Sequence, residues 1–212
     1  MNKLFILTLC ALIFGAVNSD AAETKKLPEP DLNESSDSLL QIINSRQSGR
    51  SYNTDKRVDD ETLSQILWSA RGVNQYGKIT IPTARNNQDL KVFVLDGKGA
   101  WLYNAKANQL EKVSNKNMLP YLAEKQDFIL NAPVHLVYTS SDKKWGFAHA
   151  GSAYQNVYLF ATAQGLSTVI RGLPNDAEMA KALNLAPDEF TIAHQPIGYS
   201  CLYTHLTLPT IA

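Results

Sequence analysis

Ala150–Gln164 reads AGSAYQNVYLFATAQ, and its apolar or small residues run nearly all the way round a helical wheel. That is the pattern of a helix covered on every side, either inside a core or against a second subunit. Gly165 ends it, and Thr168–Ile170 follows as a short β-branched stretch. Asn175 or Asp176 then starts a helix running through Leu185, with Met179, Ala182 and Leu183 inward. Phe190–Tyr199 (FTIAHQPIGY) reads as a last strand. Upstream, Pro133–Thr139 (PVHLVYT) is a mostly apolar strand suited to a sheet covered on both faces. Met118–Leu130 reads as helical, and Leu90–Asp96 with Ala100–Asn104 reads as a hairpin turned at Gly97-Lys98-Gly99.

Two helices precede the hairpin. Leu39, Leu40, Ile42 and Ile43 recur at helical spacing, with an end at Arg46–Gly49. Leu63, Ile66, Leu67 and Ala70 share one face of the second, which Asp59 or Asp60 can cap and after which Gly72 suits the terminal position. Helices and strands mix without regular βαβ alternation. The expected fold is therefore α+β, a central mostly antiparallel sheet flanked by helices.

With 212 residues the chain fits one domain, and 20 Lys plus Arg against 20 Asp plus Glu leave no field that would attract nucleic acid. Met1–Lys3 is cationic, Leu4–Val17 is apolar, and small residues follow, so residues 1–21 read as a secretory signal. Export and cleavage without stable membrane insertion is the expectation, and an anchor left in place is the alternative. Residues 22–38 read as a flexible linker, 39–199 as the folded domain. Cys10 leaves with the signal, so Cys201 has no internal partner. His135, His149, His194 and His205 lack metal-ligand spacing and read as structural or solvated.

Three polar segments sit beside these elements. Ser45–Arg50 (SRQSGR) puts Arg46, Ser48 and Arg50 on alternate positions, where guanidinium forks and a hydroxyl suit a phosphate. Pro82–Gln88 (PTARNNQ) offers amides that both donate and accept, as the edge of a flavin or pyrimidine ring requires. In Gly165–Gly172 (GLSTVIRG), Gly172 lacks a side chain where backbone can approach a flat ligand. Read singly, each also fits a plain reading: a solvated helix end, a polar loop, a turn glycine. The phosphate-loop and dinucleotide-binding glycine patterns are absent from the sequence.

In their order, these segments resemble the nitroreductase superfamily of flavin enzymes. The likeness runs through Arg46–Arg50 (with Gln47 at a position usually basic or His), Ala70-Arg71-Gly72, Pro82–Gln88, Ala132-Pro133, Gln155–Leu159, Gly165-Leu166 and Ile197–Tyr199. It covers roughly 39–199 and is nearest to the dehydrogenase or oxidase branch. The resemblance implies a homodimer holding two FMN molecules at the subunit interface. By motif, Arg46, Gln47 and Ser48 would hold the phosphate and ribityl end, and Arg50 would face the N1/C2 side of the ring. Pro82, Thr83, Ala84 and Asn86 would approach from the second chain, and the Arg171–Gly172 backbone would lie near N5. It implies hydride or electron transfer from a small donor, NAD(P)H in most members, to a quinone, nitroaromatic or conjugated alkene. The alternative is an exported flavin-binding protein with little or no turnover. Ser200–Ala212 carries no Lys or Arg where members continue with a basic residue, and reads as an atypical tail.

Overall fold

Seven antiparallel strands form one sheet in the order β3-β2-β1-β4-β7-β5, with β6 also paired to β7. The computed structural model describes residues 38–123, 126–173 and 177–201. The proposed signal, nearly all of the linker and most of the tail lie outside them. The strands are β1 (Lys91–Asp96), β2 (Gly99–Asn104), β3 (Gln109–Ser114), β4 (Val134–Ser140), β5 (Leu166–Thr168), β6 (Arg171–Gly172) and β7 (Phe190–Tyr199). The helices are α1 (Ser38–Ser45), α2 (Asp60–Arg71), α3 (Leu119–Ala123), α4 (Gly146–Ala163) and α5 (Ala177–Ala182). The α+β expectation is met.

β4 is central, and all seven of its residues are buried. One core, including Ile66, Leu67, Val92, Leu136, Ala153, Val157 and Ile197, joins α2 and α4 to one sheet face. A second, including Phe93, Leu95, Met118, Val137, Met179 and Leu183, covers the other. Two faces filled by opposite alternate residues explain the near-continuous apolar run of β4.

α2 begins where expected: Asp59 Oδ1 accepts from the Thr62 amide at 2.8 Å. This holds the Asp59 carboxyl below its usual range, chiefly through the Thr62 amide. Gly72 closes the helix for a different reason from the one expected. Its φ is −66°, so no left-handed turn is involved. A Cβ there would run into the Trp68 indole.

Three elements depart from the sequence reading. β3 was not expected, because Gln109–Ser114 is mostly polar. It is the outer strand, where charge suits an open edge, and Lys112 Nζ lies 4.8 Å from the Trp101 ring centroid on the neighbouring strand. The helix expected over 118–130 is instead the short α3 followed by a 3-10 turn at Asp127–Asn131. The Leu122 carbonyl is given to Arg171 Nη1 (3.0 Å), while the Gln126 amide bonds Ala123 (2.7 Å). α4 begins at Gly146, before Ala150, because Asp142 Oδ1 gathers the Lys144 and Trp145 amides at 2.9 Å each. Burial on every side over Ala150–Gln164 is not met within one chain, since Gln155, Ala163 and Gln164 are exposed.

Candidate functional site

Tyr158 of α4 joins two of the three polar segments. Its hydroxyl accepts from the Ile170 amide at 2.8 Å and lies 3.0 Å from Ser48 Oγ. The Arg46 guanidinium carbon sits 5.0 Å from the centroid of the same ring, a cation–π contact. The Gly49 amide donates to the Thr168 carbonyl at 2.9 Å, and a Cβ on Gly49 would strike the Ser167 side chain. Ser45–Arg50 is therefore laced to the 166–172 stretch, with Gln47, Ser48 and Arg50 exposed beside it. The regular alternation expected at 46–50 is not formed as a strand; the segment is irregular after α1.

Gly172 lies on an open groove of about 570 Å³, with Leu173, Phe147, Phe190 and Ile192 supplying apolar wall. A Cβ added at Gly172 would meet nothing within 4 Å. Nothing in the described chain requires the bare backbone there, which leaves it accessible to a ligand. Lys143, Asp188 and Glu189 also line the groove, while the cationic, donor-rich residues 46–50 lie against 167–170 of the same stretch. An anionic group suits 46–50, and a flat body suits the bare backbone at Gly172.

The Arg171 side chain faces away from this opening. It donates to His194 Nδ1 (3.0 Å), the Leu122 carbonyl (3.0 Å) and Gln126 Oε1 (2.9 Å). Its backbone leads directly into Gly172, which lines the groove. Burial pulls His135 down to about 4 and holds His194 well below the ordinary imidazole value.

The third segment is anchored elsewhere. The Ala84 amide donates to His149 Nε2 at 2.9 Å, and His149 Nδ1 lies 2.8 Å from Asp89 Oδ1. Asp89 also accepts from Ser140 Oγ. Nε2 accepts, so the ring proton sits on Nδ1 and points to the carboxylate. Arg85 and Asn86 both adopt positive φ, 55° and 56°, so Pro82–Asn86 is a tight turn pinned at its centre. Pro82 and Asn86 are exposed, and Thr83 and Ala84 are half-buried. His149 and Tyr158 stand nine residues apart on α4, about two and a half turns. They thus project from opposite sides of the helix. One chain brings 46–50 and 166–172 together and carries 82–86 to the other side.

Tyr158, His149, Asp89 and His194 were not among the candidates read from sequence. Tyr158 lay inside the quoted helix as one more aromatic, and each histidine's partner is distant in the chain. His205 lies outside the described residues. Among the described residues, no helix is long and apolar enough to cross a membrane.

The nitroreductase family model matches residues 43–199, and the chain belongs to that family, a family of oxidoreductases. A Methanocaldococcus jannaschii protein bearing a nitroreductase name is 28% identical over 197 residues, covering 83% of this chain and 97% of its own. A Ralstonia eutropha crystal structure, also given a nitroreductase name, is 28% identical with TM-score 0.71 over 84% of this chain and 89% of its own. A Clostridium difficile structure called an FMN-dependent nitroreductase shares the fold at 20% identity, with TM-score 0.57 over 77% of this chain and 88% of its own.

Proposed function

We propose that this chain is an FMN-dependent oxidoreductase working as a homodimer. It passes hydride or electrons from a reduced small-molecule donor, NAD(P)H in most of the family, to a quinone, nitroaromatic or conjugated alkene. The observation that carries this reading is the bare, exposed backbone at Gly172, at the end of the 166–172 stretch to which Ser45–Arg50 is laced through Tyr158 and Gly49.

Arg46 is suited to the phosphate as a planar, permanently charged donor, and Gln47 and Ser48 to the phosphate and ribityl oxygens. Arg50 suits the N1/C2 side of the ring. The Arg171–Gly172 backbone borders the flat body, and Leu173, Phe147, Phe190 and Ile192 line the groove and offer it apolar surface. When bound, FMN supplies two-electron chemistry at its reactive ring nitrogen. No side chain need act as a nucleophile.

The opposed faces of α4 support sharing between chains. Pro82, Thr83, Ala84 and Asn86 cannot serve the site that Tyr158 organises on their own chain, but a two-fold partner can present them there. The exposed Phe147, together with Leu39 at 56 % and Ile43 at 48 % on α1, gives such a partner apolar surface to cover. We also propose export, on the pattern of residues 1–21; amino-terminal sequencing of the cell-produced protein is expected to begin after Ser19 or Ala21, and an intact Met1 contradicts it.

Anaerobic mixing of FMN-loaded protein with NADH or NADPH tests the reaction. Loss of the yellow colour, restored on adding a quinone, is expected. Protein that stays colourless and ignores added FMN overturns the proposal. Loaded protein that neither nucleotide reduces removes NAD(P)H as donor.

A further inference from the structure

Beside β6, on β4 and β7, lie two histidines that the proposed chemistry does not use. His135 and His194 are both 0 % exposed, stacked with ring centroids 5.3 Å apart. β6 is two residues long and pairs with β7 through Arg171↔His194 and Gly172↔Ala193. So short a pairing holds backbone weakly by itself. The side chain of Arg171 supplies a further hold.

The hydrogen bonds in this hold have one consistent direction. A guanidinium only donates, so His194 Nδ1 accepts from Arg171 Nη1 at 3.0 Å. The ring proton of His194 is then on Nε2 and donates to His135 Nδ1 at 3.0 Å. His135 in turn carries its proton on Nε2 and donates to the Ala132 carbonyl at 2.9 Å. A second proton on either ring would set two donors against each other. The Phe128 ring, 5.9 Å from the Arg171 guanidinium carbon, packs against the same group.

We infer that His194, its tautomer fixed by His135, is a positioning residue: it grips the Arg171 guanidinium from within the core and so holds the Arg171–Gly172 backbone in place as the wall against which FMN docks. This rests on the FMN reading above. His194 touches neither cofactor nor substrate. It also keeps the Arg171 cation directed into the protein and away from the groove.

FMN titration of the full chain, followed by absorbance, tests this with His194→Ala and His194→Asn. The Asn Oδ1 stands where Nδ1 accepts, so it keeps the grip on Arg171. His194→Ala is expected to raise the FMN dissociation constant about tenfold, the effect of one lost bond to a charged group, and to alter the band shape of bound FMN. His194→Asn is expected to restore both towards wild type. Wild-type affinity and band shape in His194→Ala overturn the inference and leave the FMN reading standing; so does equal damage in both variants. A wild-type chain that binds no FMN overturns the FMN reading itself, and the inference with it. If His194→Ala does not fold, imidazole nitrogen NMR of the wild type decides: protons on Nε2 of both rings are expected, and a proton on His194 Nδ1 overturns the inference.

Discussion

A methyl group added at Gly198 would come within 2.7 Å of Pro133 Cδ and 3.2 Å of Tyr52 Cδ1. Both atoms belong to ring side chains in a packed region and cannot swing aside freely. Gly198→Ala is therefore expected to cost about 1–3 kcal/mol, the usual penalty of overpacking, read as a lowered midpoint in urea unfolding. At Gly172 the same addition meets open space. Gly172→Val is expected to leave unfolding unchanged within about 0.5 kcal/mol. It is expected to weaken FMN binding by about tenfold or more, roughly 1.4 kcal/mol or beyond. Titration and unfolding curves on the same sample separate the two effects. A stable Gly172→Val that binds FMN like wild type would place the ring elsewhere.

At the level of elements, the pinned turn at Pro82–Asn86 depends on one imidazole. His149→Ala leaves the half-buried Ala84 amide without its acceptor, and about 1 kcal/mol is expected for the lost bond. Hydrogen exchange at the Ala84 amide checks this: it is expected to quicken while amides in β4 stay protected. How much of such structure was legible follows from distance along the chain. Asp59 caps α2 as read, because a cap acts within one turn, whereas Gly72 stands at the expected position because of the Trp68 indole and not a left-handed turn. β7 matches its expected span residue for residue, because an apolar strand between turn residues carries its signal locally. β3 was missed since its polar residues answer to the Trp101 ring and an open edge. The expected helix over 118–130 was lost to Arg171, far downstream, which takes the Leu122 carbonyl. Both buried histidine networks were invisible for the same reason. His135 meets His194 and Asp89 meets His149 across 59 and 60 residues. The three polar segments were legible individually, but the opposite placement of 82–86 required the helix between them.

For the whole molecule, the buried histidine pair links fold stability to acidity. His135 falls from 6.5 to about 4 in the fold, chiefly through burial, with the Arg171 cation adding to the drop and Asp96 and the Ala132 carbonyl opposing it. His194 is depressed in the same direction, again by burial first, then by His135 and Arg171. The unfolded chain thus binds protons that the fold refuses between these values. Stability is full above about pH 6.5 and falls as pH drops towards 4, by ~3 kcal/mol for His135 alone. Urea unfolding over that range reads the slope, and His135→Phe is expected to flatten it.

FMN bound per chain, measured in four preparations, tests whether two chains share a flavin. The wild type is expected to bind about one per chain, and Arg46→Ala/Arg50→Ala and Thr83→Glu alone are each expected to bind almost none. Refolded together, the two variants are expected to regain about a quarter of the wild-type sites, because half the dimers are mixed and each mixed dimer rebuilds one of two sites. A mixture as empty as its parents, beside a wild type that fills, would contradict a site built from both chains.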